Sequence, residues 1–277
     1  MSKRLAEAES KVVELSIEHP ELGADKVGRM VRNSGHRISS QRVRNVRREE
    51  CLQVPPPRKK KRRLGESTGR HPQKAIRKNH VWSWDFVHDT TLKGGSIRIL
   101  SLVDEFTREV YALHVDRHIG ANKLIEVLGK VISQHGSPAY IRSDNGPEFI
   151  AKALQQWLAR TNIKTLYIAP ASPWQNGYVE SFHDKFRREC LNREIFYTLT
   201  EARVIIEQWR LKFNCIRPHR SLQMCTPEEY AIKSTSEGEA IQHNSSASVY
   251  DFRSAVMLTK AVREAYKDLE LLTYLGP

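Results

Sequence analysis

Two hydrophobic periodicities divide this chain. Before about residue 51, apolar positions recur at helical spacing between charged ones. The pattern predicts a helix over residues 4–18 that stops before Pro20 and a second over 24–33 ended by Ser34-Gly35. A third is expected over 41–51, capped by Ser39 or Ser40. From His80 onward, short apolar runs read as strands at 81–88, 97–103, 108–115, 140–143 and 163–168. Helices are expected at 121–134, 148–160, from the segment holding Glu180 to about 190, and at 200–214. Three strands in succession, then strands separated by helices, fit an α/β domain with a five-stranded mixed sheet flanked by helices.

Segments without period set the boundaries. Residues 53–79 carry Pro55-Pro56-Pro57, a basic run, Gly65, Gly69 and Pro72, and read as a linker. Residues 234–248 are polar and read as an unstructured tether. Beyond them, Ala255, Leu258, Val262, Ala265, Leu269 and Leu272 fall on one stripe of an expected helix over 250–272. That stripe needs cover from its own domain or from a second copy. The expected organisation is a helical unit at 1–52, the linker at 53–79, an α/β core at 80–233 and a tail at 234–277.

Charge sharpens this division. The formal net charge is +13, yet residues 1–80 hold 21 Lys/Arg against 9 Asp/Glu, so nearly all the excess precedes the first strand. A polyanion bound at that end is the partner this implies. On the third helix Val43 and Val46, and by spacing Glu50, share one side, while Gln41, Arg42, Arg44, Asn45 and Arg48 take the other. Two short helices around a Gly-containing turn, the second dense in Arg and Asn, read as a helix-turn-helix; Arg reads guanine or phosphate and Asn reads adenine. Lys59, Lys60, Lys61 and Arg62 would fasten the linker along a DNA backbone. Cys51, Cys190, Cys215 and Cys225 form no Cys-x-x-Cys pair, so neither a zinc ribbon nor a disulfide framework is expected. With no apolar run near 18 residues and no signal-peptide pattern, an intracellular location is expected.

Three carboxylates carry the candidate chemistry. Asp85 interrupts the apolar run Val81-Trp82-Ser83-Trp84-Asp85-Phe86-Val87, where a buried acid is costly unless paired, hydrogen-bonded or bound to metal. Asp144 ends a short strand before the turn Asn145-Gly146-Pro147, with Pro147 suited to open a helix. Glu180 follows after 35 intervening residues, just inside a helix behind the Pro/Asn/Gly-rich segment 170–177. Carboxylates on separate elements suit two hard cations, Mg²⁺ or Mn²⁺, clamping an in-line phosphoryl transfer. Asp104 also ends an apolar strand, but with Arg108 it brackets a tight connection and reads as a turn-stabilising residue. His88, His114 and His183 read as structural.

The strings Ser143-Asp144-Asn145-Gly146-Pro147-Glu148-Phe149, Gln175-Asn176-Gly177-Tyr178-Val179-Glu180-Ser181-Phe182 and Arg217-Pro218-His219-Arg220-Ser221-Leu222 resemble motifs of the DDE transposase/retroviral integrase superfamily. Within it they are similar to the second-frame transposases of bacterial insertion sequences, over about residues 10–232. The resemblance implies a ribonuclease H-like core and two metal ions held by Asp85, Asp144 and Glu180. It also implies cleavage at element ends followed by strand transfer from the freed 3′-hydroxyl, and a DNA-end contact at Arg187. Expected partners are double-stranded DNA, both element ends and target, further copies of the chain, and a first-frame protein; the setting is the bacterial cytoplasm and nucleoid. The tail past Thr226-Pro227-Glu228-Glu229-Tyr230 departs from the family. So does the lack of a second helix-turn-helix, which bears on activity without a partner; the altered C-terminus supports a rival reading as a non-catalytic DNA-binding regulator from a truncated or decayed element copy. A ribonuclease H-type nuclease is the enzymatic rival, and no Arg/His/Tyr set supports a tyrosine recombinase.

Overall fold

The computed structural model describes residues 3–54, 73–168 and 177–242, the last seven for backbone only. The tail stripe of residues 255–272 and the linker cations Lys59, Lys60, Lys61 and Arg62 lie outside the described residues.

At the N-terminal end, α1 (Lys3–Glu18), α2 (Ala24–Asn33) and α3 (Ser40–Glu49) pack around a small core of their own. Ala8, Val12 and Leu15 of α1 meet Val27 and Val31 of α2 and Val43 and Val46 of α3. Ser39 caps α3 by accepting from the Arg42 backbone N–H at 3.1 Å. The buried side of α3 includes Arg47, while Glu50 is exposed, so Glu50 does not belong to the inward stripe. Arg47 donates to Ser16 Oγ at 3.1 Å and to the Leu52 carbonyl at 2.6 Å. Ser16 Oγ also donates to the Val12 carbonyl at 2.6 Å, so the buried guanidinium joins a satisfied polar group in the small core.

The second unit is a three-layer sandwich. Strands β1 (Val81–Thr90), β2 (Ser96–Asp104), β3 (Val110–Asp116), β4 (Tyr140–Ser143) and β5 (Lys164–Tyr167) lie in the order β3-β2-β1-β4-β5. The β1–β2 and β2–β3 pairs are antiparallel, and β1–β4 and β4–β5 are parallel. Side chains alternate faces along each strand. Trp82, Trp84, Leu100 and Leu102 therefore pack on α4 (Ala121–His135) and α5 (Lys152–Arg160). Val87, Ile97, Ile99 and Val103 pack on α6 (Gly177–Glu189) and α7 (Leu199–Cys215). This mixed sheet, antiparallel on one side and parallel on the other with helices on both faces, is the ribonuclease H-like fold.

Three elements depart from the sequence expectations. The helix expected from 148 begins at Lys152, because Gly146–Ile150 forms a turn in which the Phe149 and Ile150 N–H groups reach the Gly146 carbonyl. Residues 234–242, expected as tether, continue a helix α8 (Pro227–Gln242). Thr226 and Glu229 cap its start reciprocally, at 3.2 and 3.0 Å, and Pro227 takes the first helical position. The end of the expected linker, residues 73–79, packs on the core. Asn79 (φ +58°) donates from its backbone to Asp104 at 2.8 Å and from its amide to the His135 carbonyl at 2.7 Å, while Trp82 Nε1 donates to its Oδ1 at 3.1 Å.

Candidate active site

Asp85 shares the face of β1 that looks toward α6, since its neighbours Trp84 and Phe86 turn to the opposite layer. The β1–β4 ladder pairs Ser83 with Arg142 in parallel register. Asp85 lies two residues past Ser83 on β1 and Asp144 two past Arg142, one residue beyond the end of β4, so the two acids stand at the same end of neighbouring parallel strands. Glu180 comes from the first turn of α6 and is exposed, as is Asp144.

Electrostatics report the convergence. The Asp85 carboxyl is pushed up to about 6, first by burial and then by the charges of Asp144 and Glu180, against a lowering hydrogen bond from the Phe86 N–H at 2.7 Å. Asp85 on β1 therefore feels both the acid at the end of β4 and the acid on α6. Among the described residues, no group of three His, Cys, Asp or Glu side chains is drawn close enough to form a finished metal cage. The donors are all carboxylate oxygens and Asp85 feels the charge of both neighbours, so the set fits hard divalent cations by chemistry and charge.

Local structure holds each acid differently. Asp144 Oδ1 accepts from the Gly146 N–H at 3.0 Å, an Asx turn that orients the carboxylate. A Cβ at position 146 would stand 3.1 Å from that oxygen and 3.2 Å from the Phe149 ring, so a side chain there would crowd both. Phe149 anchors it by stacking on Trp84 and Phe86, with ring centroids 4.8 and 5.0 Å away. Beneath the strand end, Arg142 donates from Nε to Glu105 Oε1 at 2.7 Å, and Ser83 also hydrogen-bonds to Glu105. The sequence reading missed this buried pair: its members are 37 residues apart and only the β1–β4 pairing brings them together.

His183 is also at the site, although it read as structural. It lies three residues after Glu180 on α6, so its place on that face was open to helical spacing. Its Nε2 is 2.7 Å from Ser101 Oγ, and Ser101 is the cross-strand partner of Asp85. Nδ1 stands 3.8 Å from Asp85 Oδ2, beyond hydrogen-bond reach. Burial, then the charge of Arg187, pushes the imidazole down to about 4, so it stands neutral beside Asp85 and forms no ion pair. Arg187 is exposed two turns beyond Glu180.

Asp104 is a turn residue, as expected. It is fully buried and accepts from the Phe106 and Thr107 N–H groups at 2.9 and 2.8 Å. Arg108 closes the turn through its backbone, donating to the Asp104 carbonyl at 2.9 Å, while its guanidinium lies over Tyr178 at 3.9 Å. The α3 residues are far from this centre in sequence and function as a separate surface. There, Arg42 is held by Glu9 at 2.6 Å and Glu49 at 3.2 Å, and Arg44 by Asp25 at 3.1 Å. Asn45 accepts from Gln41 at 3.0 Å, and Arg48 is exposed.

The strand order and flanking helices define a ribonuclease H-like core. Two models described as "Integrase core domain" match residues 75–173 and 161–227. A 31.7 kDa protein of insertion element IS407 from Burkholderia multivorans is 35% identical over 233 residues, covering 83% of each chain. A 39.2 kDa protein of IS476 from Xanthomonas euvesicatoria is 35% identical over 225 residues, covering 80% of this chain and 64% of its own length. The chain belongs to the insertion-element DDE transposases of the integrase superfamily. The HTLV-2 integrase catalytic core, solved in complex with magnesium, aligns at 22% identity and a TM-score of 0.42, covering 56% of this chain and 97% of that one. Among the described residues, no helix is long and apolar enough to cross a membrane.

Proposed function

We propose that the chain cleaves DNA at insertion-element ends and joins the freed 3′-hydroxyl to target DNA, with Asp85, Asp144 and Glu180 holding two Mg²⁺ or Mn²⁺ ions. The observation that carries this reading is the raised Asp85 carboxyl, whose causes include both other acids. When bound, the ions would neutralise that charge and activate the attacking oxygen for in-line transfer. Asp85 supplies a fixed ligand on the central strand, and Asp144 one oriented by its glycine turn. Glu180, exposed on α6, can close on the site from the side of the bound strand. Neutral His183, held by Ser101, adds no positive charge that would compete with a cation at Asp85. Arg187 continues the same face of α6 toward a phosphate, and α3 with the basic linker engages the duplex through Arg42, Arg44, Asn45, Arg48 and Lys59–Arg62. The reading includes further copies of the chain pairing two ends, a first-frame protein of the element, and a cytoplasmic, nucleoid-bound setting.

The decisive variant is Asp144→Asn, which removes a charge and almost no volume. We expect Mg²⁺-dependent cleavage and strand transfer to fall at least about a thousandfold, the scale of several kcal/mol of lost charge stabilisation, with duplex binding kept. Activity near that of the parent would remove Asp144 from the site.

A further inference from the structure

Behind the catalytic face of α6 lies a second concave site. A cavity of about 680 Å³ opens between α2, the Tyr178–Ser181–Lys185 side of α6 and the segment 217–221. Lys26, Lys74, Arg108, Lys185, Arg217 and Arg220 line it, and no Asp or Glu does. Arg217 is held by Glu189, with Nε at 2.7 Å, and Arg220 pairs with Asp25, so both guanidinium groups are fixed in place. Lys26, Lys74 and Lys185 have no carboxylate partner among the described residues; Lys185 donates only to Ser181, at 2.7 Å to its carbonyl and 2.7 Å to its hydroxyl.

Burial and a neighbouring guanidinium both disfavour the charge of the lysines, against the pull of Glu189. Lys26 is pushed down to about 7 and Lys185 to about 8, in each case by burial first and Arg217 next. Independently of charge, His219 lines the cavity with only 5% of its surface exposed, and its Nε2 has no hydrogen-bond partner. Its ring is locked edge-on against Phe213, with centroids 4.6 Å apart, and its backbone is paired with Cys225. A buried nitrogen left unpaired beside unpaired ammonium groups is costly, and an anion with several acceptor oxygens would satisfy both at once. Tyr178, Phe182 and Phe213 give the cavity an apolar wall, which suits a phosphate carried on a sugar and base better than a small hydrated anion.

We propose that this cavity is a phosphate-binding site for a DNA strand, separate from the carboxylate centre and shared between the N-terminal helices and the core. The proposal rests on the reading that the chain acts on DNA, and it adds where the strand is held. Lys26 comes from α2 while Lys185, Arg217 and His219 come from the core, so one phosphate would tie the two units together.

The test compares the full-length parent with Lys26→Gln/Lys185→Gln and with Lys74→Gln, whose exposed position spares the fold; Lys130→Gln on the outer face of α4 is the control. Duplex affinity is measured across a salt series, and stabilisation by pyrophosphate by thermal unfolding. We expect the double variant to bind duplex roughly tenfold more weakly, each lost contact lowering the salt slope by about 0.9, with Lys74→Gln intermediate and Lys130→Gln unchanged. Equal affinity and slope in parent and both site variants would overturn the proposal even if the double variant were misfolded, because Lys74→Gln reports alone. If the parent bound no duplex while pyrophosphate stabilised it and not the double variant, the cavity would stand as an anion site and the DNA reading would fall. No response to either ligand would overturn both.

Discussion

A buried acid surrounded by acids is a cost the fold carries. The Asp85 side chain is only 25% exposed, and its folded pKa of about 6 lies above its unfolded value. The folded state therefore binds the extra proton, and ionisation of Asp85 weakens the fold above pH 6; that penalty fades as pH falls from about 6 toward 4. Asp85→Asn should thus stabilise the metal-free chain by about 1–3 kcal/mol at pH 8 while abolishing chemistry, with the gain gone near pH 4. Denaturant unfolding in a chelator at the two pH values checks this; no gain at pH 8 would mean that neither burial nor the neighbouring acids disfavour the charge on Asp85. The three acids were legible because each sits at a local discontinuity: a charge in an apolar strand, an Asp-Asn-Gly turn, a helix start. His183 and the Glu105–Arg142 pair were not, because their roles depend on contacts 82 and 37 residues apart.

Elements were legible where period and caps agreed. The sheet strands stood out because their apolar runs are short and bounded, and Thr198 with Glu201 caps α7 as a reciprocal pair. The helix α8 was overlooked because its later residues, Ser234-Thr235-Ser236-Glu237-Gly238, have poor helix propensity. Its start was written plainly in Thr226-Pro227-Glu228-Glu229, where cap and dipole outweigh that weakness. Thr226→Ala should cost about 1 kcal/mol. In a unit of this size that lowers the unfolding midpoint by about 2–4 °C, measurable by circular dichroism. An unchanged midpoint would show that α8 gains its stability elsewhere.

Across the whole molecule, charge is divided between a basic N-terminal unit and a nearly neutral core. Residues 1–72 hold 18 Lys/Arg against 9 Asp/Glu. Arg193–Glu21 at 3.1 Å and Arg220–Asp25 fasten the two units. Because 73–79 belongs structurally to the core, the informative truncation removes 1–72. That fragment should lose most duplex affinity and most of its salt dependence, each lost phosphate contact lowering the slope by about 0.9. Binding titrations from low to moderate salt measure it, and a full slope in residues 73–277 would shift DNA binding to the catalytic face. The division was legible from charge alone; the joint between units was not, since it is built from single side chains that no period announces.

The ring stack behind the central strand gives the chain an optical readout of its own. Trp84 is fully buried against Phe149, and Phe149 anchors the turn that orients Asp144. A ligand that draws Asp144 toward Asp85 would pull on that stack, so we expect it to change the emission of Trp84, one of five tryptophans in the chain, and a Trp84→Phe variant to lose the change. Such a titration would need no dye, label or turnover, and could be run on a variant that has lost its chemistry.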